Sequence, residues 1–323
     1  MSEPVRVAVI GGGRSGEHDV SLGSAASAVH ALRGERRWAV VALTIGRDGC
    51  WSDEHGQRLT PAEAVTVLRG CHVALPLLHG PHGEDGTIAG FLEVAGVRYA
   101  GSGVGAGAIG MDKWVTKLVA AAIGLATAPG TLVTARTAGE YRWSGPVVVK
   151  PVGAGSSLGV SLVESADGIG PALTRALRHD DRVLVEQVIR GREIDVAVLG
   201  RADGSRVVAP PLEVVAAGIF DHAAKYDGTA EFRIPAALDE VHRKALEAAA
   251  VEVYDVLGCR GVARVDFFVT AAGLVLNEVN TVPGFTARSQ APRMFAAGGI
   301  DYPELLAMLI DDALGGRPAA VPA

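Results

Sequence analysis

Cysteine is scarce. Only Cys50, Cys71 and Cys259 occur in 323 residues, far apart and without CxxC or His/Cys spacing. That excludes a disulfide framework and a structural zinc site, and it fits a reducing compartment. Clustered positive charge is missing too. The formal net charge is -6 with no long Lys/Arg run, so nucleic acid is not expected as a partner, because phosphate backbones are met by basic patches. No apolar run reaches the roughly 20 residues that a membrane span needs. The start of the chain lacks the charged-then-apolar pattern of a secretion signal. Together these absences predict a soluble, cytoplasmic protein that acts on neither nucleic acid nor membrane.

What is present is enough chain for two or three domains. Residues 1–111 alternate apolar strands (Val5 to Ile10, Trp38 to Ile45, Val73 to Leu78) with helical stretches, the pattern of a parallel α/β sheet. Residues 112–192 open with a helix from Asp112 and hold the strands Pro146 to Lys150 and Val183 to Glu186. This block is short, which suggests a lid rather than an independent core. Residues 193–323 add strands at Ile194 to Leu199 and Val207 to Pro210, a helix over Asp239 to Leu257, and a hairpin. With no repeat and no low-complexity linker, the three blocks are expected to close around one cleft.

The hairpin is the most informative part. Val262 to Val269 alternates well enough for a strand, Ala271-Ala272-Gly273 forms the turn, and Leu276-Asn277-Glu278-Val279-Asn280 returns. Residues i and i+2 share a strand face, so Glu278 and Asn280 project together and join Asp266 in an oxygen-rich cluster. Two carboxylates and an amide suit the Mg²⁺ that accompanies a nucleoside triphosphate. A solvated acidic edge is the alternative, but the flanking Val265, Phe267, Leu276 and Val279 favour burial, and buried carboxylates need partners.

Three glycine-rich or unusual loops follow strands. Gly11 to Gly16 satisfies G-x-G-x-x-G, yet the second strand ends Thr44-Ile45-Gly46-Arg47 without the acid that a dinucleotide fingerprint needs. No Lys-Ser/Thr follows for a Walker loop. The backbone N–H groups of such a turn suit an anion, and the adjacent Glu17 suits a cation, so an amino-acid zwitterion satisfies both. His79-Gly80-Pro81-His82-Gly83-Glu84 occupies a ligand-binding position at the carboxyl end of a strand. Lys150 to Val160 is a Gly/Ser-rich loop able to fold over triphosphate oxygens, with Lys150 as their counter-charge. Glu186 to Ile189 ends a strand as an adenine-binding hinge would.

These motifs, in this order, resemble the D-alanine:D-alanine ligase family of the ATP-grasp superfamily over nearly the whole chain. They are Gly12 to Ser21, Leu78-His79-Gly80 with Gly83 to Gly86, Met111-Asp112-Lys113, Lys150 to Gly159, and Gly258 to Gly261 through Asn277 to Thr286. The resemblance implies an α/β ATP-grasp fold, with an N-terminal parallel α/β domain, a central lid domain and a C-terminal α+β domain. It also implies an ATP-dependent ligase of peptidoglycan synthesis that forms D-alanyl-D-alanine through D-alanyl phosphate, as a homodimer. On that basis Lys113, Lys150 and Lys225 would touch the nucleotide phosphates, Glu186, Gln187 and Ile189 the adenine, and Glu193 the ribose, with Asn277 also at the ATP. Asp266, Glu278 and Asn280 would hold two Mg²⁺ ions, or Mn²⁺. Glu17 would take the ammonium of the first D-alanine, beside Val20 and His79. Ser156 and Tyr226 would join Glu17 in a hydrogen-bonded set. Arg264 and the Gly284 N–H would stabilise the oxyanion, and Ser289 and Gln290 would meet the second substrate's carboxylate.

The departures lie in Ile219 to Tyr226, where the common pattern carries an aromatic near His222 and a glutamate at Ala223. The stretch Leu257 to Asp266 also looks like the vancomycin-resistance-type branch, which makes D-alanyl-D-lactate or D-alanyl-D-serine. Lys225-Tyr226, replaced in the lactate branch, is retained here. D-Alanine therefore leads as second substrate, ahead of D-serine and then D-lactate.

Overall fold

The first apolar run becomes β1 (Val5–Gly12); the computed structural model describes residues 3–215 and 231–315. After β1 come α1 (His18–Arg33), β2 (Trp38–Ile45), β3 (Trp51–Ser52), β4 (Arg58–Leu59), α2 (Pro61–Arg69), β5 (Val73–Pro76) and α3 (Thr87–Val94). The sheet order is β4-β3-β2-β1-β5, and β1 pairs in parallel with both β2 and β5. Both faces of β1 are covered, as a parallel sheet requires. Val7 and Val9 pack into one core, Ala8 and Ile10 into another. β1 runs two residues past Ile10 because Gly11 and Gly12 keep pairing with Thr44 and Ile45. Gly12 sits at φ 88°, where a side chain would strike the Ile45 carbonyl oxygen.

Next come α4 (Val104–Met111), α5 (Lys113–Ala122) and β6 (Ala126–Thr127). Asp112 caps α5 by accepting from the Val115 N–H at 2.9 Å. These elements straddle residue 111 and pack on the largest sheet, and α5 also meets the lid, where Lys117 pairs with Glu186 and Asp112 with Arg182. The lid consists of β7 (Gly130–Thr134), β8 (Val147–Pro151), β9 (Ser161–Val163), α6 (Ile169–Ala176) and β10 (Arg182–Gln187), with antiparallel order β7-β10-β8-β9. Its shortness suggested no independent core, but the structure gives it one. Ala172, Leu173 and Ala176 of α6 close over Val133, Val149 and Val183.

The largest sheet is built from β11 (Arg192–Gly200), β12 (Arg206–Val208), β13 (Leu212–Val215), β14 (Glu231–Arg233), β15 (Gly261–Thr270) and β16 (Gly273–Asn280), with α7 (Glu240–Val256) between β14 and β15. The order is β14-β13-β11-β15-β16-β6, with β12 pairing on β11. Leu246, Ala250, Val253 and Tyr254 bury one face of α7 in this sheet's core. α8 (Gln290–Ala297) and α9 (Tyr302–Gly315) follow. Phe295, Leu305 and Leu309 share one core with Val7 and Val9 of the first sheet, so the first and last blocks are fused. No helix of the described residues is long and apolar enough to cross a membrane.

The hairpin forms as read, Thr270 opposite Gly273, with one irregularity. Asp266 pairs with Glu278 but Phe267 pairs with Leu276, leaving Asn277 as a bulge. Neighbouring strand residues ordinarily face opposite sides. The bulge lets Asn277 and Glu278 both line the cleft described next.

Candidate active site

A cleft of about 360 Å³ lies between the lid and the largest sheet. Lys113, Lys150, Glu186, Gln187, Ile189, Glu193, Asn277 and Glu278 all line it, so the residues expected at the nucleotide come together from α5, β8, β10, β11 and β16. Lys225 and Tyr226, with His222 and Ala223, lie outside the described residues. Glu186 is 5% exposed, and its two oxygens are taken by Lys117 and by Lys150, the latter at 2.6 Å. Burial alone would raise the Glu186 pKa; the charges of Lys150 and Lys117 outweigh it and hold the carboxyl below its ordinary value. Lys117 goes the other way. Burial, with the neighbouring Lys150 charge, lowers its pKa despite Glu186. Lys113 ties the lid loop to the sheet, donating to the Ala154 carbonyl at 2.8 Å with its Nζ 3.6 Å from Glu278.

Beside Glu278 the strands carry a row of charge. β11, β15 and β16 place Asp195, Asp266 and Glu278 in register across three strands. Arg264, two residues before Asp266 and hence on its face, donates to both Asp266 oxygens at 2.7 and 2.6 Å and to Gln290 Oε1 at 2.6 Å. Burial would lower the Arg264 pKa, but Asp266 and Asp195 hold it well above its ordinary value. Asn280 donates to Asp266 at 3.0 Å. Asp266, Glu278 and Asn280 offer hard oxygen donors suited to a divalent cation. Among the described residues no trio of His, Cys, Asp or Glu forms a metal site by itself.

The third group gathers around Glu17. Ser156 donates to its carboxylate from the lid loop, while Ser15 accepts from its N–H at 3.1 Å and donates to the His79 carbonyl at 2.6 Å. A side chain on Gly155 would collide with the Glu17 carboxylate, so glycine there lets the lid come this close. Ser156 itself is left-handed, φ 48°, a local cost held in place by that contact. Val20 lies partly buried on the first turn of α1. His79 is 3% exposed and uses both ring nitrogens on protein, Nε2 with Ser24 Oγ at 2.9 Å and Nδ1 with the Val282 carbonyl at 2.8 Å. Burial, the largest single effect, pulls its pKa down, but Glu84, Val282 and Glu17 together outweigh it, and the net direction is up. Ser289 precedes α8 and accepts from the Thr286 N–H at 3.1 Å; a side chain on Gly284 would lie 3.3 Å from its hydroxyl.

Two charged residues escaped the sequence reading. Lys117 is four residues after Lys113, hence on the same helix face. Asp195 is two residues after Glu193, hence on the same strand face. The periodicity used for Glu278 and Asn280 was the available signal for both.

Comparison with known proteins agrees with this geometry. Residues 6–102 match the family described as D-ala D-ala ligase N-terminus, and residues 131–311 match D-ala D-ala ligase C-terminus. The D-alanine--D-alanine ligase of Mycobacterium tuberculosis is 41% identical, over 96% of this chain and 95% of its own. That of Mycolicibacterium smegmatis is 42% identical, over 96% and 95%. Among solved structures, the VanG D-Ala:D-Ser ligase from Enterococcus faecalis superposes with TM-score 0.84 at 30% identity, covering 96% of this chain and 99% of that one. The D-alanine-D-alanine ligase from Coxiella burnetii gives 0.82 at 31%, covering 97% and 94%. The fold and the cleft thus define an ATP-dependent ligase of ATP-grasp architecture. Within that class, the chain belongs to the D-alanine–D-alanine ligase family.

Proposed function

We propose that the protein joins D-alanine to a second D-alanine for peptidoglycan precursors, using ATP and two Mg²⁺ ions, which Mn²⁺ can replace, as a cytoplasmic homodimer of the three blocks 1–111, 112–192 and 193–323. One observation carries the reading. Glu278 belongs both to the lysine-lined cleft and to the Asp266–Arg264 row, so a nucleotide's terminal phosphate and a reacting carboxylate meet at one place.

Lys113 and Lys150 neutralise phosphate charge, and Glu17 with Ser156 holds the first ammonium, leaving that substrate's carboxylate toward the phosphate. Val20 and His79 line its pocket. Asp266, Glu278 and Asn280 would hold the cations, which when bound would supply positive charge to the phosphoryl group. The carboxylate oxygen takes the γ-phosphoryl group and ADP leaves. The second amine, with its proton lost, attacks the acylphosphate carbon, and phosphate departs. Arg264 and the Gly284 N–H meet the negative oxygen that exists only during that attack. The lid loop, reaching Glu17 through Ser156, keeps water from the acylphosphate. Ser289 and Gln290 receive the second carboxylate. The retained Lys225-Tyr226 pair supports D-alanine as second substrate, while the VanG likeness and the changed His222-Ala223 support some D-serine.

The test is a competition: ATP, Mg²⁺ and D-alanine with equal D-serine and D-lactate at pH 6 and pH 8, products identified by mass. D-Alanyl-D-alanine is expected to dominate at pH 8, with any depsipeptide share growing at pH 6, because the amine must lose a proton and the hydroxyl carries no such charge. Dominant D-alanyl-D-lactate at both pH values overturns the assignment of the second substrate.

A further inference from the structure

The strand pairing that sets Asp266 opposite Glu278 also sets Asp195 opposite Asp266 on the other side. Asp195 is 1% exposed, and a buried carboxylate is costly unless paired. The Arg264 guanidinium lies between the two aspartates. Its Nε is 2.7 Å from Asp266 Oδ1 and 3.5 Å from Asp195 Oδ2. Gln290 closes a ring, accepting from Arg264 Nη1 at 2.6 Å and donating to Asp195 Oδ2 at 3.2 Å. One guanidinium thus faces two carboxylates, and the nearer is also the one that the divalent cation needs. Arg264 cannot shed its proton. When Asp266 turns its oxygens away, the guanidinium needs another anion within reach, and Asp195 already stands there.

We propose that Asp195 is a positioning residue for ligation, holding the Arg264 guanidinium beside the acid row so that Asp266 is released to the cation. This rests on the reading of Arg264 as the oxyanion donor. Without the Asp195 charge, Arg264 stays clamped on Asp266, and two things fail together: cation binding weakens and the oxyanion loses its donor.

The experiment compares the full-length protein with Asp195→Asn, Asp195→Glu and Arg264→Lys. Three quantities are read: kcat at saturating ATP and Mg²⁺, Mn²⁺ affinity in the presence of ADP by electron paramagnetic resonance, and Tm. Asp195→Asn is expected to lower kcat and Mn²⁺ affinity each by about 10- to 100-fold, the usual effect of losing a residue that orients a metal ligand. Asp195→Glu, which keeps the charge, should recover part of both. A merely structural Asp195 would lower Tm and leave both quantities unchanged in the folded protein, and that result overturns the proposal. So does a fall in kcat with unchanged Mn²⁺ affinity. If Arg264→Lys is inactive while Asp195→Asn is normal, only this inference fails; if Arg264→Lys keeps full kcat, the oxyanion role itself is wrong.

Discussion

Two buried charge clusters, one lining the cleft and one in strand register with Glu278, are inverse in sign. At one, a single carboxylate, Glu186, lies between two lysines, Lys117 and Lys150. At the other, a single guanidinium, Arg264, lies between two carboxylates, Asp195 and Asp266. Each places two charges of one sign around one of the other, at burial where an ion is expensive. An excess of like charge in a dry site is balanced by a ligand of the opposite charge. The lysine cluster suits nucleotide phosphates, and the carboxylate cluster suits divalent cations. The difference teaches how the proposed substrates would be oriented: positive excess on one side and negative on the other, with Glu278, 3.6 Å from Lys113, joining the two.

The largest break in this contrast is expected from Glu278→Gln, which removes a carboxylate from the junction. Phosphate release at saturating Mg²⁺ should fall by about 10²-fold or more, with the cooperative unfolding transition retained. Near-normal release would end the assignment of the acid row to the cations.

Removing one lysine tests the other cluster. Lys117→Met leaves Glu186 to Lys150 alone, so Lys150 stays committed to the protein and is less available for its proposed place at phosphate. Folding stability should drop by about 1 to 3 kcal/mol, the cost of a lost charge-assisted bond, read from the urea midpoint, and the KM for ATP should rise severalfold. A stability loss with an unchanged KM would make the cluster purely structural.

The smallest effect is a pH trend that separates the clusters. Because the folded-state pKa of Glu186 is depressed below its unfolded value, its contribution to stability is present above the unfolded pKa of about 4.5. It is lost as pH falls through the lower folded value. The Tm gap between the protein and Glu186→Gln should therefore be widest near pH 6 and narrow as pH drops below the ordinary carboxyl range. A gap independent of pH down to 3 would contradict the depressed value.

Much of this was legible from periodicity. The parallel strands at 5–10 and 38–45, helices beginning near Asp112 and Asp239, and the facing of Glu278 with Asn280 all follow from local rules, because a strand's two-residue repeat and a helix's first turn need only nearby residues. The lid's own core was not legible. It depends on α6 folding back over strands far away in sequence, Ala176 reaching the core that holds Val133, a long-range fact that a short segment does not announce. Nor was the bulge at Asn277, which arises from the mismatch between two paired strands and not from either strand alone.

The sequence by itself determined the chemistry available: the oxygen donors of the hairpin, the lysines, the glycine loops and the family they mark. Tertiary structure alone decided how those charges neutralise one another. That Lys117 shares Glu186 with Lys150, and that Asp195 shares Arg264 with Asp266, depends on the packing of α5 beneath the lid and on the register of β11 against β15. Pairing energies between ions fall off with distance and rise with burial, and only the folded chain sets both.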